Sequence, residues 1–106
     1  MPVEARILGC GSSSGVPRLG LDGPDWGACD PREPRNRRTR CSLLVRTGAL
    51  NLLIDTSPDL REQMLLAGDA RVDAVLYTHD HADQIHGIDD LRAIAYAMRR
   101  RMPVYA

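Results

Sequence analysis

The chain has no phenylalanine, a single tryptophan and only three tyrosines among its 106 residues. Without large rings to fill an interior, a core has to come from leucine, isoleucine, valine and alanine. Cysteine is also scarce. Cys10, Cys29 and Cys41 are odd in number and far apart, a pattern that fits neither a disulfide framework nor a paired-cysteine zinc site and suits a reducing, cytoplasmic setting. Neither sign of charge predominates, with 14 basic and 14 acidic side chains. No overall field therefore marks the chain for nucleic acid or a membrane surface. No apolar run approaches the ~20 residues of a membrane span. The N-terminus enters a strand pattern directly, with no signal-peptide pattern. The length supports about one small domain.

Histidine is the scarcity that informs most. All three histidines fall within Tyr77-Thr78-His79-Asp80-His81-Ala82-Asp83-Gln84-Ile85-His86-Gly87. His79, His81 and Asp83 occupy alternate positions, between a strand-like run and a helix-like run. On an extended loop, side chains at alternate positions point the same way. Neutral imidazole suits zinc, manganese or iron, and a carboxylate adds charge and hardness. The plainer reading of one histidine is a surface or packed residue. Three within eight positions, and none elsewhere, favour metal ligation.

The run resembles the His-x-His-x-Asp-His signature of the metallo-β-lactamase superfamily, and reads here His79-x-His81-x-Asp83-Gln84. In that family the first two histidines bind one metal, and the aspartate and last histidine bind a second. The resemblance implies His79, His81 and Asp83 as ligands. Gln84 stands where the family has histidine. Gln84 could ligate through its amide oxygen, favouring a harder ion such as manganese, or His86 could reach back from the next helix. The implied cofactor is zinc or manganese, one or two ions. The implied chemistry is hydrolysis by metal-bound hydroxide, which Asp83 would help to orient.

Residues 3–8 alternate apolar and polar, as a half-buried strand does. A glycine-serine loop follows at 9–17. It carries no lysine, so the phosphate-loop pattern fails. Its plainer reading is a tight turn using glycine's free backbone. The sharper one brings Ser12, Ser13 and Ser14 toward a metal pocket or a phosphate. A loop of this kind ending in Val16-Pro17 is similar to the phosphodiesterase branch of the superfamily. That branch includes the phosphonate-pathway cyclic phosphodiesterase and, more distantly, the tRNA 3′-processing endonucleases. A small phosphodiester substrate is thereby implied. Residues 18–40 form a proline- and arginine-rich insertion in which Pro24, Pro31 and Pro34 interrupt regular structure. Arg32, Arg35, Arg37, Arg38 and Arg40 read most plainly as a solvated loop. A planar guanidinium also suits a substrate phosphate, and Arg38 is the candidate. The branch can carry a cysteine-held structural zinc here, which Cys29 alone does not support.

Two strands are expected at 41–46 and 51–55, joined by a hairpin at 47–49. Asp55 ends the second. The resemblance places such an aspartate near the metal ligands, where a carboxylate can orient a ligating imidazole. The plainer reading is a helix cap, but Ser57-Pro58-Asp59 already makes a helix start. That helix should end at Gly68. A strand is expected at 72–77, then a helix with Ile88, Leu91, Ile94, Ala95 and Met98 on one face. Asp89 and Asp90 suit its start and Arg99, Arg100 and Arg101 its end, a reading preferred to a nucleic-acid patch. Residues 102–105 begin another strand.

This order is similar to the first half of the metallo-β-lactamase fold. The implied class is α/β: the N-terminal half of a four-layer αβ/βα sandwich, a mixed sheet with flanking helices, as one partial domain over 1–106. In the family, the other half supplies another histidine, a bridging aspartate and a last histidine, and no histidine follows His86 here. The inner sheet face should be bare, and a missing C-terminal half or a second chain is the expected partner. The resulting reading is a metal-dependent hydrolase of phosphodiester bonds. A tRNA-processing nuclease fits the balanced charge less well, and a glyoxalase-type thioester hydrolase fits the glycine-serine loop less well. A non-catalytic metal-binding or interaction module is the rival from another class. Neither a membrane nor a nucleic acid is expected as a partner.

Overall fold

The computed structural model describes residues 2–106. Its elements are β1 (Glu4–Gly9), β2 (Arg18–Gly20), β3 (Gly23–Asp25), β4 (Ser42–Arg46), β5 (Asn51–Ile54), α1 (Leu60–Ala67), β6 (Ala74–Leu76), α2 (Ala82–Ile85), α3 (Leu91–Met98) and β7 (Val104–Tyr105), with single 3-10 turns at Pro34–Asn36 and Ile88–Asp90. Five strands make one sheet in the order β1-β4-β5-β6-β7. The β1–β4 and β4–β5 pairs are antiparallel, whereas β5–β6 and β6–β7 are parallel. The expected mixed sheet with helices is therefore present.

Period-two alternation sorts the strand residues onto two faces. Leu44, Leu53 and Val75 lie on the helix side and are fully buried. Leu53 and Val75 join Leu60 and Met64 of α1, Val72, and Leu91 and Ile94 of α3 in one core. Each such side chain contributes roughly 1.5–3 kcal/mol by leaving water. The other face is open. Strand register lines up Ile7, Leu43, Ile54, Leu76 and Tyr105 across it. Ile7 is 69% and Tyr105 61% exposed there.

Local chemistry moves several element boundaries. α1 begins at Leu60, after its expected start, because Ser57 Oγ accepts the Asp59 N–H at 2.9 Å and holds 57–59 as a turn. The helix ends as expected: Gly68 adopts φ 79° and its N–H reaches the Met64 carbonyl at 3.1 Å, the left-handed close that glycine permits. The face built from Leu91, Ile94 and Met98 packs on the core, but Ile88 sits in the 3-10 turn and is exposed. The insertion at 18–40 is more ordered than its prolines suggest. β2 and β3 form a two-stranded ribbon with Pro24 opposite Leu19, an edge setting that tolerates a missing N–H. Arg18 Nε bonds Asp25 Oδ2 at 2.9 Å across it. The Gly27 N–H and then the Arg18 guanidinium hold the Asp25 carboxyl below the usual carboxylate range. Among the described residues no helix is long and apolar enough to cross a membrane.

Candidate functional site

The histidine run follows β6 at the end of the parallel pair. It stays extended through His81 (φ −68°, ψ 155°) and then turns into α2. The alternation expected over His79, His81 and Asp83 therefore stops at His81. Asp83 and His86 stand three residues apart along a helical turn, a spacing that puts side chains on one face. His81, Asp83 and His86 line a cavity of about 490 Å³ together with Ser13, Arg40 and Pro58. The His79 ring lies beside it, its centroid 4.5 Å from that of His81, edge to face.

Gln84 faces elsewhere. It is only 4% exposed, and its Nε2 donates to Cys41 Sγ at 3.2 Å. The helical turn that brings His86 beside Asp83 rotates Gln84 away. Of the two alternatives for a further ligand, the structure brings His86 to the cavity and not Gln84. Gln84 Oε1 is buried without a partner.

Asp55 stands behind the motif, 7% exposed and in the left-handed region at φ 64°. A non-glycine residue there is uncommon, with aspartate among the better tolerated. Its Oδ1 accepts the Thr78 N–H at 2.8 Å and its Oδ2 accepts the Thr78 hydroxyl at 2.7 Å. Thr78 Oγ1 in turn lies 2.8 Å from His79 Nδ1. A hydroxyl has one proton, and here the carboxylate takes it. His79 Nδ1 is therefore the donor to Thr78, and Nε2 keeps the lone pair a metal needs. Asp55 acts on the imidazole through Thr78 instead of touching it, and it caps no helix.

The loop is stapled to the end of β5. The Thr56 N–H reaches the Gln84 carbonyl at 2.7 Å, and the Gly87 N–H reaches the Thr56 carbonyl at 3.1 Å. Thr56 Oγ1 also lies 3.2 Å from each of the Gln84 and Ile85 carbonyl oxygens and 2.8 Å from the Tyr77 hydroxyl. Burial pushes the Tyr77 phenol up, and the charge of Asp55 adds to this, against the Thr56 hydrogen bond. Gly87 fits so tightly that a Cβ would stand 1.9 Å from the Ser57 carbonyl oxygen. Sequence reasoning missed Thr56 and Gly87. The available signals were a Thr-Ser pair directly after Asp55 and a glycine closing the histidine run.

The basic residue at the cavity is Arg40. Its Nε and Nη2 bind Asp59 Oδ2 and Oδ1 at 2.7 and 3.0 Å, which holds the guanidinium in one orientation. Arg38, the expected phosphate contact, instead points Nη1 at Cys10 Sγ, 3.3 Å away. Of the three serines only Ser13 lines the cavity; Ser12 and Ser14 hydrogen-bond each other at 3.5 Å in solvent.

Among the described residues no three histidine, cysteine or acidic side chains converge closely enough to hold an ion alone. The residues fit a divalent ion as an incomplete set. Two adjacent imidazoles are present, one with its tautomer fixed, and Asp83 and His86 share a cavity with the other. A catalytic zinc site takes three converging protein ligands, and because no three of these side chains converge closely enough the cluster needs a further donor.

Residues 50–106 match the model of the beta-lactamase superfamily domain. A diphosphatase of the PhnP family, known from its crystal structure, is 41% identical; the likeness covers 98% of this chain and 41% of that one, with a TM-score of 0.87. An octanoyltransferase of Porphyromonas gingivalis is 46% identical over 101 residues, 94% of this chain and 20% of that protein. Ribonuclease Z of Bradyrhizobium sp. is 37% identical over 60 residues, 55% of this chain and 20% of that protein. The chain thus spans about a fifth of the length of these two curated relatives. With more than half of its residues inside the family model and the histidine run among them, the chain belongs to the beta-lactamase superfamily.

Proposed function

We propose that this chain carries the metal-binding part of a hydrolase that cleaves phosphodiester or diphosphate bonds. One observation carries the reading. Side chains of metal-ligating type (His81, Asp83, His86) and of anion-binding type (Ser13, Arg40) face the same cavity. Two of the relatives, a diphosphatase and a ribonuclease, support the same bond class. When bound, zinc or manganese supplies Lewis acidity and lowers the pKa of water. His79 presents Nε2 because Thr78 and Asp55 occupy Nδ1. Arg40, fixed by Asp59, leaves Nη1 to meet a phosphoryl oxygen. Asp83 and His86 line the ion-facing side of the cavity, where Asp83 would orient the attacking water.

The cluster needs another donor, and the row from Ile7 to Tyr105 is an apolar surface without cover. Both needs are met if further polypeptide closes over this face. Grafting residues 1–106 onto the unmatched part of the PhnP-family diphosphatase tests the reading. The folded chimera should bind zinc or manganese and hydrolyse diphosphate or a generic phosphodiester, with loss of both properties in H81A. A folded, metal-loaded chimera that cleaves neither substrate would overturn it.

A further inference from the structure

Cys10 and Cys41 are thirty-one positions apart in the sequence and neighbours in the fold. Gly9 pairs antiparallel with Ser42 at the end of the β1–β4 ladder, and Gly11 forms an isolated parallel bridge to Arg40. The residues bracketed by these two pairings are Cys10 on one side and Cys41 on the other. Neighbouring strands lie ~4.8 Å apart and a disulfide spans Cα separations of roughly 4.4–6.8 Å, so residues between two such flanking contacts are within reach of one another. Both cysteines line one cavity of about 340 Å³, beside Gly9, Ser42 and Asp55. Each is a free thiol, Cys10 exposed and Cys41 half-buried. The third, Cys29, bonds through its backbone to Trp26 in the insertion and does not line this cavity.

We propose that Cys10 and Cys41 are a redox modification site, joined by a reversible disulfide under a peroxide. The exposed Cys10 sulfur attacks a peroxide oxygen, the O–O bond breaks, and one water leaves while Cys10 becomes a sulfenic acid. Cys41 sulfur then attacks the Cys10 sulfur, the S–O bond breaks, and that oxygen leaves as a second water. The two sulfurs lose two electrons to the peroxide, and both thiol hydrogens end in water. Arg38 Nη1, 3.3 Å from Cys10 Sγ, is placed to hydrogen-bond the departing oxygen. Closing the bond pulls Cys41 from Gln84 Nε2, its 3.2 Å partner. Oxidation at Cys41 is thereby coupled to the motif helix that holds Asp83. This assignment is independent of the hydrolase reading.

The test uses the whole chain in a Cys29→Ser background, treated with one equivalent of hydrogen peroxide. Free thiols should fall from two to none, the intact mass should drop by about 2 Da, and a reducing dithiol should restore both. Peptide mapping of the unsubstituted chain should find the Cys10–Cys41 link, which needs no variant to fold. C10S and C41S in the same background should form no internal bond. Retention of both thiols, chain-to-chain dimers as the main product, or a link through Cys29 in the unsubstituted chain would each overturn the proposal.

Discussion

The Thr78 hydroxyl donates its one hydrogen bond to Asp55 Oδ2, 2.7 Å away, and so settles which nitrogen of His79 is free. Both oxygens of Asp55 are acceptors for Thr78. In Asp55→Asn one of them becomes an NH2 group facing a donor. Asparagine still accepts the left-handed backbone, so the change acts on the hydrogen bonds. Affinity for zinc or manganese, read by calorimetric titration of the chimera, should fall about 10- to 100-fold. A variant that lost only about 1 kcal/mol of stability, as a missing helix cap does, would contradict the relay.

The ligand set makes a paired prediction. Elemental analysis of H79A/H81A should find the metal gone. Among single variants, His86→Ala should weaken metal binding, because His86 lines the cavity with Asp83. Gln84→Ala should leave the stoichiometry unchanged, since that side chain is spent on Cys41. Metal lost from Q84A and kept by H86A would reverse the assignment.

Two glycines separate crowding from backbone conformation. At Gly87 a Cβ meets the Ser57 carbonyl oxygen at 1.9 Å, whereas at Gly68, φ 79°, nothing lies within 4 Å. Gly68→Ala should cost roughly 1–2 kcal/mol, the left-handed penalty. Gly87→Ala must displace the motif loop from Thr56 and should cost about 3 kcal/mol or more, at the upper end for overpacking. Urea unfolding midpoints compare them; equal costs would show that the loop yields freely at Gly87.

Tyr77 sets an alkaline limit. Burial raises its phenol in the folded chain, so the folded state keeps a proton that the unfolded state releases. The sign follows from linkage. The stabilising contribution is fully present below the unfolded phenol's range and is lost as pH rises through the higher, folded value. Denaturant titrations at increasing alkaline pH should show stability declining in the parent chain and declining less in Tyr77→Phe. Identical pH slopes in the two proteins would rule this out.

The sequence by itself determined the parts whose signal is local. Short apolar runs within 41–46 and 51–55, separated by Thr47-Gly48-Ala49, mark two strands joined by a hairpin. Gly68 marks the end of α1 because few other residues take its φ. The crowding of His79, His81 and His86 marks the site because no other histidine occurs in the chain. Tertiary structure decided what depends on distant partners or on the phase of a short turn. One turn of helix after His81 exchanges Gln84 for His86 at the cavity, and eleven residues of mixed character do not announce that turn. Arg40 instead of Arg38 faces the site because Asp59, nineteen positions later, holds it there. Thr78 enters the relay only because Asp55 arrives beside it at the end of a neighbouring strand. Cys10 and Cys41, too widely spaced to pair on any sequence rule, line one cavity because they flank the adjacent strands β1 and β4. Each of these contacts joins residues that the chain separates and the packing of strands brings together.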